Sequence, residues 1–268
     1  MATTVEAAGL TAAAREAVRD LILVLADSKR LLGMRYGQWI LGAPELEAAI
    51  ACAAMAQDEW GHARQFYALL KDFGEDVSVL EHGRESHQYA SMEALDVEPG
   101  DWFGLIALNA LADTALSVQC EALRGSSYVP LAQRVEKLLD EERFHGAHGV
   151  AWFNRLARSG GAAAEAMAAA AEAALPGILQ WFGPDSERAK LVVEAGVVDA
   201  AGSTLRERYL ERIGGLLDEL GARGAALRSH TPSFDGFDEA RRRVSKKGPD
   251  AETVARIRGD KNRMFLVD

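Results

Sequence analysis

Along most of the chain apolar residues recur every three or four positions, and no stretch alternates strictly between apolar and polar as a half-buried strand would. This pattern predicts an all-α protein. A first helix is expected over residues 11–41, ending at Gly42-Ala43-Pro44, and a second over 44–73, closed by Gly74. Residues 75–100 are polar, hold His82 and His87 and end in Pro99-Gly100, so they should form a connection with short helical pieces. A third helix is expected over 101–123 and a fourth over 130–158, with Gly125-Ser126-Ser127 between them. An alanine-rich helix follows Gly160-Gly161, and another long one is expected over 184–220. Past Gly221 the chain grows richer in charge and poorer in core residues. The division expected is therefore a helical domain over 1–222 and a tail over 223–268, packed on the bundle or on a partner.

Two of the core stripes carry ionisable residues. In the second helix Cys52, Met55, Glu59, His62, Phe66 and Leu69 succeed one another by threes and fours, and in the fourth Leu131, Val135, Leu138, Glu142, His145, Gly149 and Trp152 do the same. Both stripes are interrupted by Glu-x-x-His. A buried charge costs several kcal/mol unless something replaces its hydration. Glu and His three apart on a helix point to the same side, so a carboxylate oxygen and an imidazole nitrogen can reach one metal ion. Two such pairs on facing helices make two half-sites, which a Glu or Asp from each of two further helices completes in four-helix carboxylate proteins. Asp113, on a stripe with Ile106, Ala110 and Cys120 and 29 residues before Glu142, is the candidate on the third helix. The competing reading is a hydrogen-bonded polar layer without metal.

Composition narrows the function classes. The chain has 268 residues, 49% of them hydrophobic and 26% charged, enough for one large core in a soluble protein. Its formal charge of -10 argues against nucleic acid or an anionic membrane as the main partner. The basic run RRRVSKK at 241–247 is the exception, read first as a solvated tail and second as a contact for an anionic partner or a phosphate. Cys52 and Cys120 sit inside apolar runs, the pattern of buried thiols, which fits a cytoplasmic location. The first twenty residues lack the basic start and apolar stretch of a signal peptide, and the apolar run around 104–118 is broken by Asp113. His148 is read as a satisfied histidine rather than a neighbour of the site, and Trp60, Trp102, Trp152 and Trp181 as core or subunit-interface residues. His82, His87 and His230 are given no role.

The segment APELEAAIACAAMAQDEWGHARQFY, together with DEERFHGAHG, resembles the ferritin-like subunits of phenylacetyl-CoA epoxidase, a bacterial multicomponent ring-epoxidising monooxygenase. The resemblance runs from about residue 20 to residue 220 and implies a ferritin-like four-helix bundle core with additional C-terminal helices. That enzyme pairs a catalytic di-iron subunit with a related accessory subunit lacking the ligands. QDEWGHARQFY and DEERFH resemble the catalytic chain and imply metal roles for Glu59, His62, Glu142 and His145, with Asp113 at the spacing of the third-helix aspartate. LADSKRLLGMRYGQWILGAP is closer to the accessory chain at Asp27, Arg35, Gly37 and Trp39. Thirty residues before Glu59, where the catalytic family has a glutamate, this chain has Lys29.

Lys29 and Asp27 lie on different apolar stripes of the first helix, Ile22, Leu25, Lys29, Leu32, Tyr36, Trp39 and Val24, Asp27, Leu31, Met34, and either stripe suits the interior. Two ferrous ions would bring +4 against -3 from Glu59, Asp113 and Glu142; Asp27 would neutralise the remainder, whereas Lys29 would raise it. Three outcomes stay open. Asp27 replaces the missing ligand, Lys29 is neutral or turned away, or the site holds one metal or none with Lys29 paired to a carboxylate. The leading expectation is a protein with two iron ions held by Asp27, Glu59, His62, Asp113, Glu142 and His145, using O2 on an organic substrate with electrons from a reductase. An aryl-CoA thioester substrate and a homo- or hetero-oligomer with a related subunit rest on the resemblance alone. The second expectation is a metal-poor accessory subunit that binds a catalytic partner, and the third an iron-storage or peroxide-detoxifying protein.

Overall fold

The computed structural model describes residues 7–260 and Phe265. Among them it is all helical apart from a single antiparallel bridge between Asp238 and Arg243. Helix α1 (Ala12–Gln38) starts where the Thr11 hydroxyl accepts the Ala14 N–H, 3.3 Å away, supplying one of the partners that a helix N-terminus lacks. Helix α2 (Leu46–Leu69) tightens into a 3-10 turn over Leu70–Phe73 before Gly74 ends it. The connection then holds α3 (Val77–His82) and two short turns at Ser86–Gln88 and Glu93–Leu95. Helix α4 (Trp102–Glu121) begins at Asp101, whose carboxylate caps the Gly104 N–H, and α5 (Val129–Arg158) has proline in its first turn. Helices α1, α2, α4 and α5 form the four-helix core, with α6 (Gly161–Trp181) packed across α4 and α5.

The apolar stripes read from the sequence face this core. From Cys52 to Leu69 and from Leu131 to Gly149 every residue of the two interrupted stripes is buried, as are Ile106, Ala110, Asp113 and Cys120 on α4. In α1 both stripes are buried, because α2 covers one side and the 75–100 connection another. Helix α4 departs from regular geometry over Leu108–Asp113, where a π-helical turn inserts one extra residue per turn and rotates the remainder of the helix. Gly149 of α5 lets the backbones meet there: a Cβ on it would lie 2.9 Å from Asn109 Oδ1 and 3.0 Å from Ala110 Cα.

The long helix expected over 184–220 is instead three pieces, α7 (Glu187–Glu194), α8 (Gly202–Arg212) and α9 (Gly214–Glu219). Gly196, with φ of 68°, turns the chain between the first two. Beyond α10 (Ala222–Arg228), the basic run is not a solvated tail. Arg243 is 1% exposed, pairs with Asp96 and donates to the Ser91 carbonyl; Arg241 donates to the Tyr89 carbonyl, and Arg242 donates to Gln119. Only Lys246 and Lys247 of the run are exposed. Helix α11 (Ala251–Arg258) then returns to pack on α3.

Among the described residues two helices, α4 and α6, are long and apolar enough by composition to cross a bilayer, more than the sequence suggested. In α4 the apolar window is 78% buried within the fold, which marks it as a core helix. Trp181 and Trp102 are buried and Trp152 partly so, but Trp60 is 43% exposed.

This packing has two measurable outcomes. Cys52 and Cys120 are free and buried; burial pushes the Cys52 thiol up to about 11 and the Cys120 thiol higher still. Iodoacetamide at pH 8 should therefore label neither in the native protein and both in denaturant, as read by intact mass. Replacing Gly149 by alanine should destabilise the fold by about 1–3 kcal/mol in chemical denaturation, because the new methyl meets backbone as well as the Asn109 side chain.

Candidate metal centre

Each core helix sends one charged side chain to the same level of the bundle: Lys29 from α1, Glu59 from α2, Asp113 from the π-turn of α4 and Glu142 from α5. All four are buried, Lys29 and Glu59 completely. Lys29 Nζ donates to Glu142 Oε1 at 2.6 Å, Glu59 Oε1 at 2.8 Å and Asp113 Oδ1 at 3.0 Å. Its three N–H donors are thus matched by three carboxylates.

Two histidines border the cluster, His145 with its ring edge-on to Tyr36 of α1. His145 Nδ1 lies 3.2 Å from both Glu59 Oε1 and Asp113 Oδ2, and its Nε2 lies 3.3 Å from Asp58. His62 Nε2 meets Glu141 at 2.7 Å, and its Nδ1 comes within 3.3 Å of Glu142 Oε1. Tyr36 donates to Asp113 Oδ2 at 2.8 Å and Ser117 to Glu142 Oε2 at 2.9 Å. Asn109, carried inward by the π-turn, donates to Tyr36 and to the His145 carbonyl, and its oxygen sits 2.8 Å from His148 Nδ1. His148 is therefore one step removed from the carboxylates, hydrogen-bonded to a residue that supports them.

The electrostatics are those of a compensated ion cluster. Burial by itself would lower Lys29, but Asp113, Glu142 and Glu59 outweigh it and hold the ammonium well above the ordinary lysine value. Burial likewise opposes a charge on His145, yet its contacts with Asp113 and Glu59 raise it to about 11, an imidazolium at neutral pH. Glu142 is burdened by burial but kept well below the usual carboxyl range by Lys29 and His62. Glu59 takes the strain: burial, only partly offset by Lys29, raises it to about 7, and its Oε2 is buried without a partner.

Glu59, Asp113, Glu142 and His145 offer ligand atoms all within 4.8 Å of one another, a spacing that suits one metal ion by size. The place between them is taken by Lys29 Nζ. A pair of divalent ions at this place would add four positive charges beside the Lys29 ammonium, so the lysine would have to leave it for them to enter. What the cluster does as it stands is bind a cation of the chain's own.

Asp27 is not brought to this cluster, so the expectation that it supplies the missing ligand is not met. It is 1% exposed and accepts from the Tyr67 hydroxyl at 2.5 Å, from the Ala90 N–H at 2.7 Å and from the Arg84 guanidinium. Those contacts use its oxygens and its charge, and they tie α1 to the connection after α2. Of the six expected ligands, Glu59, Asp113, Glu142 and His145 meet at the centre, His62 stands beside it with Nδ1 3.3 Å from Glu142, and Asp27 lies elsewhere. Sequence periodicity had no means of finding Arg84, which sits in an irregular segment, or Asn109, whose inward turn depends on the π-geometry. Tyr36 was within reach, since it shares a stripe with Lys29.

A cavity of about 350 Å³ between α4 and α5 reaches Asp113 and Glu142, with Ser117 and Arg143 on its wall. The cluster is thus buried but touches a recess on one side.

Residues 1–229 match the family model described as phenylacetic acid catabolic protein. The chain is similar to the C subunit of 1,2-phenylacetyl-CoA epoxidase from Escherichia coli (strain K12), 29% identical over 136 residues covering 50% of this chain and 55% of the relative. It is equally similar to the A subunit of the same organism's enzyme, 29% identical over 155 residues covering 56% of this chain and 49% of the relative. The chain spans about half the length of the curated relatives it matches. With the family model spanning most of its length, the chain belongs to the phenylacetic acid catabolic protein family.

Proposed function

We propose that this chain is a metal-poor member of a phenylacetyl-CoA-epoxidase-type oxygenase assembly, whose role is to bind and support a related catalytic chain. The observation that carries this reading is Lys29, whose ammonium contacts three of the carboxylates that would otherwise bind metal. In this reading the lysine replaces a metal as the cross-link between four helices. Similarity to two different subunits of the epoxidase supports membership of a hetero-oligomer. An aryl-CoA thioester would be the substrate of the assembly rather than of this core.

One set of observations favours a second reading, in which the chain is itself an iron-binding oxygenase component drawing on a reductase. Glu59, His62, Asp113, Glu142 and His145 are all present and converge. That reading requires Lys29 to leave the centre and His145 to lose its proton when iron enters.

Iron stoichiometry separates the two. After anaerobic incubation with Fe(II) and desalting, the wild-type chain should retain less than about 0.1 iron per chain, and anomalous scattering at the iron edge should show no peak between Glu59 and Glu142; one or two tightly bound ions would establish the second reading. Lys29→Glu, which restores a carboxylate at the centre, should bind at least one ion under the same conditions. Lys29→Ala should destabilise the chain by about 3–5 kcal/mol in denaturant melts, because three buried carboxylates lose their counter-charge.

A further inference from the structure

On the outer face of the α1–α2 pair, behind the residues that build the ion cluster, lies a cavity of about 550 Å³. Sequence neighbours divide between the two faces: Lys29 and Glu59 turn inward, while Arg30 and Trp60 line the outer cavity. Its walls come from α1, α2, α3 and α11. The volume falls in the range of small-molecule sites, roughly 300–1,000 Å³.

The charges lining this cavity run against those of the protein. The chain carries a net -10, yet Arg30, Arg64 and Arg256 all line the cavity, against one carboxylate, Glu81. Arg256 is engaged by Glu252 at 2.5 Å and Glu98 at 3.5 Å. Arg64 is exposed and makes no ion pair among the described residues. Arg30 is held in place: its Nη2 donates to the Ile257 carbonyl at 2.7 Å, and its guanidinium sits 5.8 Å from the centre of the Tyr67 ring. Its Nη1 is buried and has no acceptor among the described residues. A buried guanidinium N–H without an acceptor costs the free energy of its lost hydration.

The remaining wall suits a flat apolar group. Trp60 lies against Gly33, where a Cβ would come within 2.8 Å of the indole ring, so the ring is seated on α1 by the absence of a side chain. It nevertheless stays 43% exposed, and Met34 lines the cavity with it.

We propose that this cavity is a binding site for an organic anion, a carboxylate or phosphate carrying a flat ring, with Arg30 and Arg64 taking the anion and Trp60 the ring. The site is separate from the carboxylate cluster and is independent of whether that cluster binds iron.

Isothermal titration of the full chain with benzoate and with adenosine monophosphate tests it, the first probing a carboxylate source and the second a phosphate source. Saturable 1:1 binding of either, with Kd below about 1 mM, is expected. Arg64→Gln, at an exposed position that leaves the fold intact, should weaken it at least about tenfold, and Arg30→Gln should do the same with an unchanged circular dichroism spectrum. The proposal is overturned if neither compound binds saturably, if Arg64→Gln binds as tightly as wild type, or if inorganic phosphate alone binds as tightly as adenosine monophosphate. Parallel measurement of iron content keeps this outcome distinct from the reading of the core.

Discussion

A lysine ammonium enclosed by three carboxylates is the contact on which the rest of this molecule turns. Lys29, Glu59, Asp113 and Glu142 come from four different helices and meet at one level with no exposure worth counting. Buried ions are weak evidence for net stability, since leaving water costs as much as the attraction returns. What they do here is join four helices at one level through opposite charges. Helix register is therefore fixed where the ions meet, and the apolar layers above and below are aligned by it.

The same helix carries a second buried charge of opposite sign two residues earlier. Asp27 and Lys29 point to different sides of α1, and each is met by its own partners, Arg84 with Tyr67 for the first and the carboxylates for the second. That division settles the direction in which α1 faces. It also explains why an aspartate that neutralises the cluster on paper takes no part in it: the peptide N–H of Ala90 and the Arg84 guanidinium have already claimed its oxygens.

Much of this was legible in the residue pattern. The four core helices, the two Glu-x-x-His stripes and the place of Asp113 are all set by a helical period that local sequence states directly, and the ionisable residues among them lie buried where the period put them. The content of position 29 was legible too, but its meaning was not, because whether a lysine on an apolar stripe turns inward depends on charges 30, 84 and 113 residues away. The basic run at 241–247 misled for the same reason. A cluster of arginines reads as solvated surface until its distant acceptors, the Tyr89 and Ser91 carbonyls and Asp96, are in view. The break-up of residues 184–220 turned on glycines whose helix-ending role only tertiary packing decides.

The partnership of Arg243 with Asp96 spans 147 residues of chain. During synthesis, helices α1 to α5 emerge and can assemble long before the arginine exists, so the connection carrying Asp96 is left for a time with a buried-side carboxylate and no cation to meet it. Contacts of such wide sequence separation are the slow ones, because the loop they close must be ordered first. The C-terminal segment carrying Arg243 is therefore tied to the 75–100 connection by a contact whose loop is among the costliest in the fold to order.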